Sequence, residues 1–157
     1  MQPIIVTQEE RKLIGKKLRM SIRNNRTYEL WRSFMPGRMK IKNRLSNDLI
    51  SMSVYDGPLQ GNMDQEFDKW AAIEVDNFNE IPEGMETFVL NRGLYAVFDY
   101  KGLNTDNSIF IYIFTEWQPG SQYDLDARRH FEVLGEKYKN GDAESEEQIW
   151  IPIRLKQ

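Results

Sequence analysis

Glu132 stands between Phe131 and Val133, in a run whose neighbours are β-prone. A carboxylate on the buried face of such a run must be paired, hydrogen-bonded or protonated, because unpaired buried charge is costly. Among aromatic rings it suits a lipophilic cation, by charge and by cation–π attraction. It could equally act as a general base on water. Simple alternation allows a plainer role: a surface strand Glu with Phe131 and Val133 in the core. Residues two apart on a strand share a face. Ser51, Ser53 and Tyr55 therefore form one set, and His130, Glu132 and Leu134 another. Trp70 and Trp150 lie on later strands, and Trp117 ends a helix at the turn that leads to Tyr123. Each of these Trp residues has an ordinary alternative as a core anchor. Trp31, Tyr28 and Phe114 read as core. His130 could relay protons beside Glu132, but a solvent-facing His beside Arg128 and Arg129 is expected.

Other chemistry is excluded by what is missing. The 157 residues contain no Cys and one His, so thiol catalysis, Cys-based zinc and multi-histidine metal sites are ruled out. No phosphate loop or Ser-His-Asp pattern occurs. Asp64, Glu66 and Asp68 cluster without the glycine and spacing of a calcium loop. No metal or cofactor is expected. No apolar run approaches the ~20 residues that span a bilayer. The N-terminus lacks the basic and apolar regions of a signal peptide, so the cytoplasm is the expected compartment and no membrane contact is expected. The net charge of −3 is uneven: residues 1–50 hold 12 Lys and Arg against 4 Asp and Glu. A basic third can attract nucleic acid or an acidic partner. Here the basic residues are mixed with Leu13, Ile14, Tyr28, Leu30, Trp31 and Phe34. The expectation is therefore mutual attraction of two halves, or solvated faces. A pI of about 5.3 argues against non-specific binding to phosphate chains.

The elements that must position these residues occur twice. Trp70-Ala-Ala-Ile73-Glu-Val75 aligns with Trp150-Ile-Pro-Ile153-Arg-Leu155. Met52-Ser53-Val54-Tyr55 aligns with Phe131-Glu132-Val133-Leu134, and Trp31 and Phe34 align with Phe114 and Trp117. The spacing predicts strands over 3–7, 11–21, 49–55, 67–75, 85–90, 94–100, 129–134 and 148–156. Asn24-Asn25 and Asp106-Asn107 are placed to cap two helices. The run Ile109 to Phe114 reads as buried strand or buried helix, and the repeat selects helix. Pro36-Gly37 and Pro119-Gly120 stop the two helices. The expected architecture is α+β: a single domain, 1–157, made of two repeats at about 1–78 and 79–157. Eight antiparallel strands form a concave sheet with two main helices, and 77–84 is the joint. Pseudo-twofold symmetry would set Ser53 against Glu132 and Trp70 against Trp150 around a central groove, where small ligands bind.

Phe114-Thr-Glu-Trp117-Gln-Pro-Gly-Ser-Gln-Tyr123, Phe131-Glu132-Val133-Leu134 and Glu147-Gln-Ile-Trp150-Ile-Pro152-Ile together resemble the GyrI-like family. Leu30-Trp31-Arg-Ser-Phe34 and Ile50-Ser-Met-Ser-Val54-Tyr55 fit the first half of the same pattern. That family includes effector-binding domains of AraC-type and MerR-type transcription regulators, gyrase-inhibitory proteins and stand-alone small-molecule-binding proteins. The resemblance implies a tandem strand-helix-strand-strand fold and a ligand groove with Glu132 at its base. It implies hydrophobic, often cationic ligands, with Glu132, Trp117, Trp150, Trp70, Tyr55, Ser53 and Tyr123 as candidate contacts. The family motif usually ends in Tyr where this chain has Leu134, whereas Tyr55 is kept in the other half. Stand-alone effector binding, without an attached DNA-binding domain, is the leading expectation, linked to transcription regulation or drug response. A hydrolase using Glu132 with Tyr55 or Tyr123 is the first alternative, and a gyrase-binding or regulator-binding module is the second.

Overall fold

The computed structural model describes residues 1–58 and 60–157. In chain order the elements are β1 (Ile4–Gln8), β2 (Arg11–Ser21), α1 (Thr27–Phe34), β3 (Leu49–Tyr55), β4 (Glu66–Val75) and β5 (Glu86–Leu90). They continue with β6 (Gly93–Lys101), α2 (Ser108–Tyr112), β7 (Tyr123–Leu125), β8 (Phe131–Leu134) and β9 (Glu146–Leu155). The protein is α+β, and its described residues form nine antiparallel strands, one more than expected, because the short β7 pairs with β9.

Two compact units emerge. One is contiguous, Arg11–Leu90; the other is split, Met1–Glu10 with Asn91–Gln157. In the contiguous unit the strand order is β3-β4-β2-β5. In the split unit β6 lies between β1 and β9, and both β7 and β8 pair with β9. The expected halves therefore exchange their edge strands. β1 pairs with β6, and β5 pairs with β2. The Asn91-Arg92 link joins strands that do not pair, and 77–84 lies inside the contiguous unit rather than between modules. Alternation shows that a strand exists but not which neighbour its N–H and C=O groups will meet, so partner choice was not available from pattern alone.

Within each unit the repeat is exact in pairing. Met52 stands opposite Trp70 on β3 and β4, and Phe131 stands opposite Trp150 on β8 and β9. Each helix also starts with the same device. Asn25 Oδ1 accepts from the Thr27 N–H at 2.9 Å, and Asp106 Oδ1 accepts from the Ser108 N–H at 2.9 Å. These side chains act from two residues back, as Asx turns, and the N-cap residues Arg26 and Asn107 make no side-chain cap.

One sheet face of each unit carries its helix. In the contiguous unit Leu30 and Phe34, at i and i+4, pack onto Ile14, Ala71 and Ile73. In the split unit Ile109 and Ile113 pack onto Ala96, Phe98, Ile149, Ile151 and Ile153. After α1 the chain tightens into a 3-10 turn, Met35–Lys40, with Pro36 near its start. After α2 it widens into a π turn, Ile113–Trp117, and closes with a last α turn, Gln118–Gly120. The Thr115 hydroxyl donates to the Ile111 carbonyl at 2.6 Å beside this widened turn. Glycine is required in β2: a Cβ on Gly15 would overlap the Ala71 carbonyl oxygen and come within 2.7 Å of Ala72 Cα.

Candidate functional site

Strand register decides which candidate residues share a face. Glu132 stands opposite Ile149, and Ile149 stands opposite Phe98. Ile149 and Phe98 belong to the helix-covered core, so Glu132 lies on the helix-bearing face of the split unit. Trp150 stands opposite Phe131 and Val97, on the other face. The structure therefore does not bring Glu132 and Trp150 together. Trp150 is 8% exposed and stacks on Phe131, with ring centroids 5.2 Å apart. Tyr95 meets both rings edge-on, at 5.4 and 5.7 Å. The Arg128 guanidinium lies 4.7 Å from the Tyr95 ring centroid and donates to the Leu94 and Ile153 carbonyls at 2.7 and 3.1 Å.

The contiguous unit divides in the same way. Ser53 and Tyr55 stand opposite Lys69 and Phe67, on the face of Ala71 that carries α1. Trp70 faces the other side, packed edge-on against Phe88 at 5.4 Å. Ser53 and Glu132 thus keep equivalent positions within their own units, as do Trp70 and Trp150. The two Trp residues are away from the faces that hold Ser53 and Glu132, contrary to their expected place as walls beside the carboxylate. The reason is the period of two: Met52 and Trp70 occupy one face, Ser53 the other.

Trp117 and Tyr123 do lie on the side of Glu132. Trp117 meets Phe98 edge-on at 5.2 Å and stacks on Tyr123 at 6.4 Å, half-buried. The widened turn that ends at Trp117 sets this geometry; such turns recur at functional sites. The turn after it is locked by Ser121, whose hydroxyl donates to the Gln118 carbonyl at 2.8 Å and accepts from the Tyr123 N–H at 3.1 Å.

Several residues around β8 stand differently from the sequence expectation or were not marked by it. Phe114, read as core, is 37% exposed, and its ring centroid is 5.9 Å from that of His130. His130 is half-buried rather than solvent-facing, and burial pushes its pKa down to about 4, so it is neutral near pH 7. Glu147 stands opposite Tyr100 and shares the Ile149 face with Glu132. Tyr138, in the connection between β8 and β9, is half-buried. Its hydroxyl is pushed above its usual pKa by burial, then by the charges of Glu147 and Glu132, while a side-chain hydrogen bond with Asn104 opposes the shift. Tyr138 and Glu147 sit in a polar acidic segment without periodicity, so no sequence signal marked them.

At least six of the twelve Lys and Arg of residues 1–50 meet carboxylates. Arg11 pairs with Glu74, Lys17 with Glu86, Arg23 with Asp64, Arg26 with Glu29 and Lys42 with Glu80, while Arg19 meets Asp56, Glu66 and Asp68. All of these pairs lie inside the contiguous unit. Among the described residues, no group of three or more metal-binding side chains is present, and no helix is long and apolar enough to cross a membrane.

Two repeats of a helix laid on an antiparallel sheet, with a carboxylate and aromatic rings on one helix-bearing face, define an effector-binding domain of the GyrI-like type. The chain belongs to the Cass2 family of integron-associated effector-binding proteins, which it matches over residues 4–153. No curated protein matches it. Among solved structures it is similar to SAV2435 bound to tetraphenylphosphonium, at 16% identity and a TM-score of 0.66, over 98% of this chain and 94% of that one. The integron cassette protein VCH_CASS2 of Vibrio cholerae matches at 13% identity and a TM-score of 0.63, over 98% and 97%. A transcription regulation protein assigned in Staphylococcus aureus MU50 matches at 16% and 0.63, over 98% and 99%. At these identities the likeness defines the fold.

Proposed function

We propose that this protein binds hydrophobic, cationic small molecules at the helix-bearing face around Glu132, as the sensing part of a transcriptional or drug response. The observation that carries the reading is Glu132 on that face, with half-buried Trp117 and Tyr123 packed on the same core and exposed Phe114 beside His130, two residues from Glu132. A carboxylate beside aromatic rings offers a cation both charge and ring faces. SAV2435, similar in fold, was solved with a lipophilic cation. The regulatory part of the reading draws on the similar Staphylococcus aureus protein.

The test is titration with lipophilic cations, followed by tryptophan fluorescence and thermal shift. Glu132→Gln keeps the side-chain shape and removes the charge. Binding of cations is expected to weaken by about tenfold or more, while a neutral ligand of the same shape is unaffected. Equal affinity of parent and variant for every cation that binds would sink the role of Glu132.

A further inference from the structure

We propose that the Glu132 face selects cations that carry N–H donors, such as ammonium, amidinium or guanidinium groups, over fully substituted onium ions of equal size. The inference rests on the binding reading above and names the ligand class more narrowly. Glu132 on β8 and Glu147 on β9 share one face, with Ile149, the partner of Glu132, two residues from Glu147. Such diagonal neighbours on adjacent strands lie within reach of one ligand head group. Tyr138 adds a phenol from the connection between the same two strands.

The connection is pinned at several points. The Lys139 N–H donates to Ser145 Oγ at 2.7 Å, and the Glu146 N–H to the Lys137 carbonyl at 3.0 Å. Asn104 reaches over from the loop after β6. Its amide donates to Asn140 Oδ1 at 2.8 Å and its oxygen accepts from the Gly141 N–H at 3.0 Å. The Tyr100 hydroxyl is committed to the Leu103 carbonyl at 2.8 Å. Held this way, the connection that carries Tyr138 is ordered before a ligand arrives, and the Tyr138 oxygen, already hydrogen-bonded with Asn104, keeps a second lone pair for a ligand N–H, which lowers the ordering cost of binding. Burial and the two carboxylates keep the Tyr138 hydroxyl protonated, so it stays neutral and can accept as well as donate.

A fully substituted onium ion gains charge and ring contact from this surface but no hydrogen bond. An N–H-bearing cation gains the same charge and ring contact, plus charge-assisted hydrogen bonds. The aromatic side chains therefore do not discriminate between the two, and the acceptors do.

The experiment compares biphenyl-4-carboxamidinium with biphenyl-4-trimethylammonium by isothermal titration on the full chain. The amidinium is expected to bind about tenfold more tightly. Tyr138→Phe and Glu147→Gln should each shrink that ratio, with little change for the trimethylammonium ligand in Tyr138→Phe. Circular dichroism and thermal unfolding check that each variant is folded, and Tyr138→Phe alone suffices if Glu147→Gln is not. Equal binding of the two cations overturns the selectivity and leaves the function reading intact. A ratio unmoved by Tyr138→Phe overturns the role given to the phenol. Failure of both cations to bind overturns the function reading itself.

Discussion

At the scale of single residues, His130 sets a pH dependence with a definite sign. Its folded pKa is about 4, below the ordinary value of 6.5, because burial disfavours the charged ring. Between those values the unfolded chain takes up a proton that the folded chain does not, so stability falls as pH drops from about 6.5 to about 4. The loss is on the order of 2 kcal/mol by pH 4.5. Urea unfolding of the parent and of His130→Gln at pH 7 and pH 4.5 measures it, and the variant should lack that part of the pH dependence. Depressed Asp126, held low first by its hydrogen bond to Arg128, loses its contribution at still lower pH. That Glu132 lies in a strand was legible from Phe-Glu-Val, but alternation alone reads it as a surface Glu, and the family resemblance is what marked it as a candidate. Its separation from Trp150 was not, because a repeat aligns Phe131 with Met52 but does not say which residue of β9 faces Phe131.

At the scale of elements, propensity and punctuation located eight of the nine described strands and both main helices, but not the short β7. β2 and β3 occupy the expected 11–21 and 49–55. The ambiguous apolar run at 109–114 folds as helix, its last two residues opening the π turn. The Pro-Gly stops were legible, but not the tightening after α1 or the widening after α2. Those depend on which carbonyl each N–H finds once the helix is packed. β2 yields a sharp element-scale prediction. Gly15→Ala forces a Cβ into the Ala71 and Ala72 backbone of β4, so the β2–β4 pairing must shift. The expected cost is about 2 kcal/mol of unfolding free energy, read from the urea midpoint. An unchanged midpoint would show that the strands open at no cost.

At the scale of the whole molecule, charge and chain path each make a prediction. The chain carries a net charge of −3, and carboxylates meet Arg19 and Arg23 within the basic third, which disfavours contact with a phosphate backbone. Fluorescence anisotropy with duplex DNA at low salt is expected to show no saturable binding by this chain. Strand exchange supplies the other. β1 is an uncharged edge strand whose pairing covers the outer side of β6. Removing residues 1–10 is expected to uncover that row of backbone donors and acceptors and to promote concentration-dependent association, measurable by light scattering. The same path orders events during synthesis. Residues 11–90 can complete their own sheet as soon as they are made, but Val6 has no partner until Tyr95 has been added. β1 is made before every other described strand, yet it is among the last of them to be paired. Ile4, Ile5 and Val6 must be kept from other chains while the residues up to β6 are added.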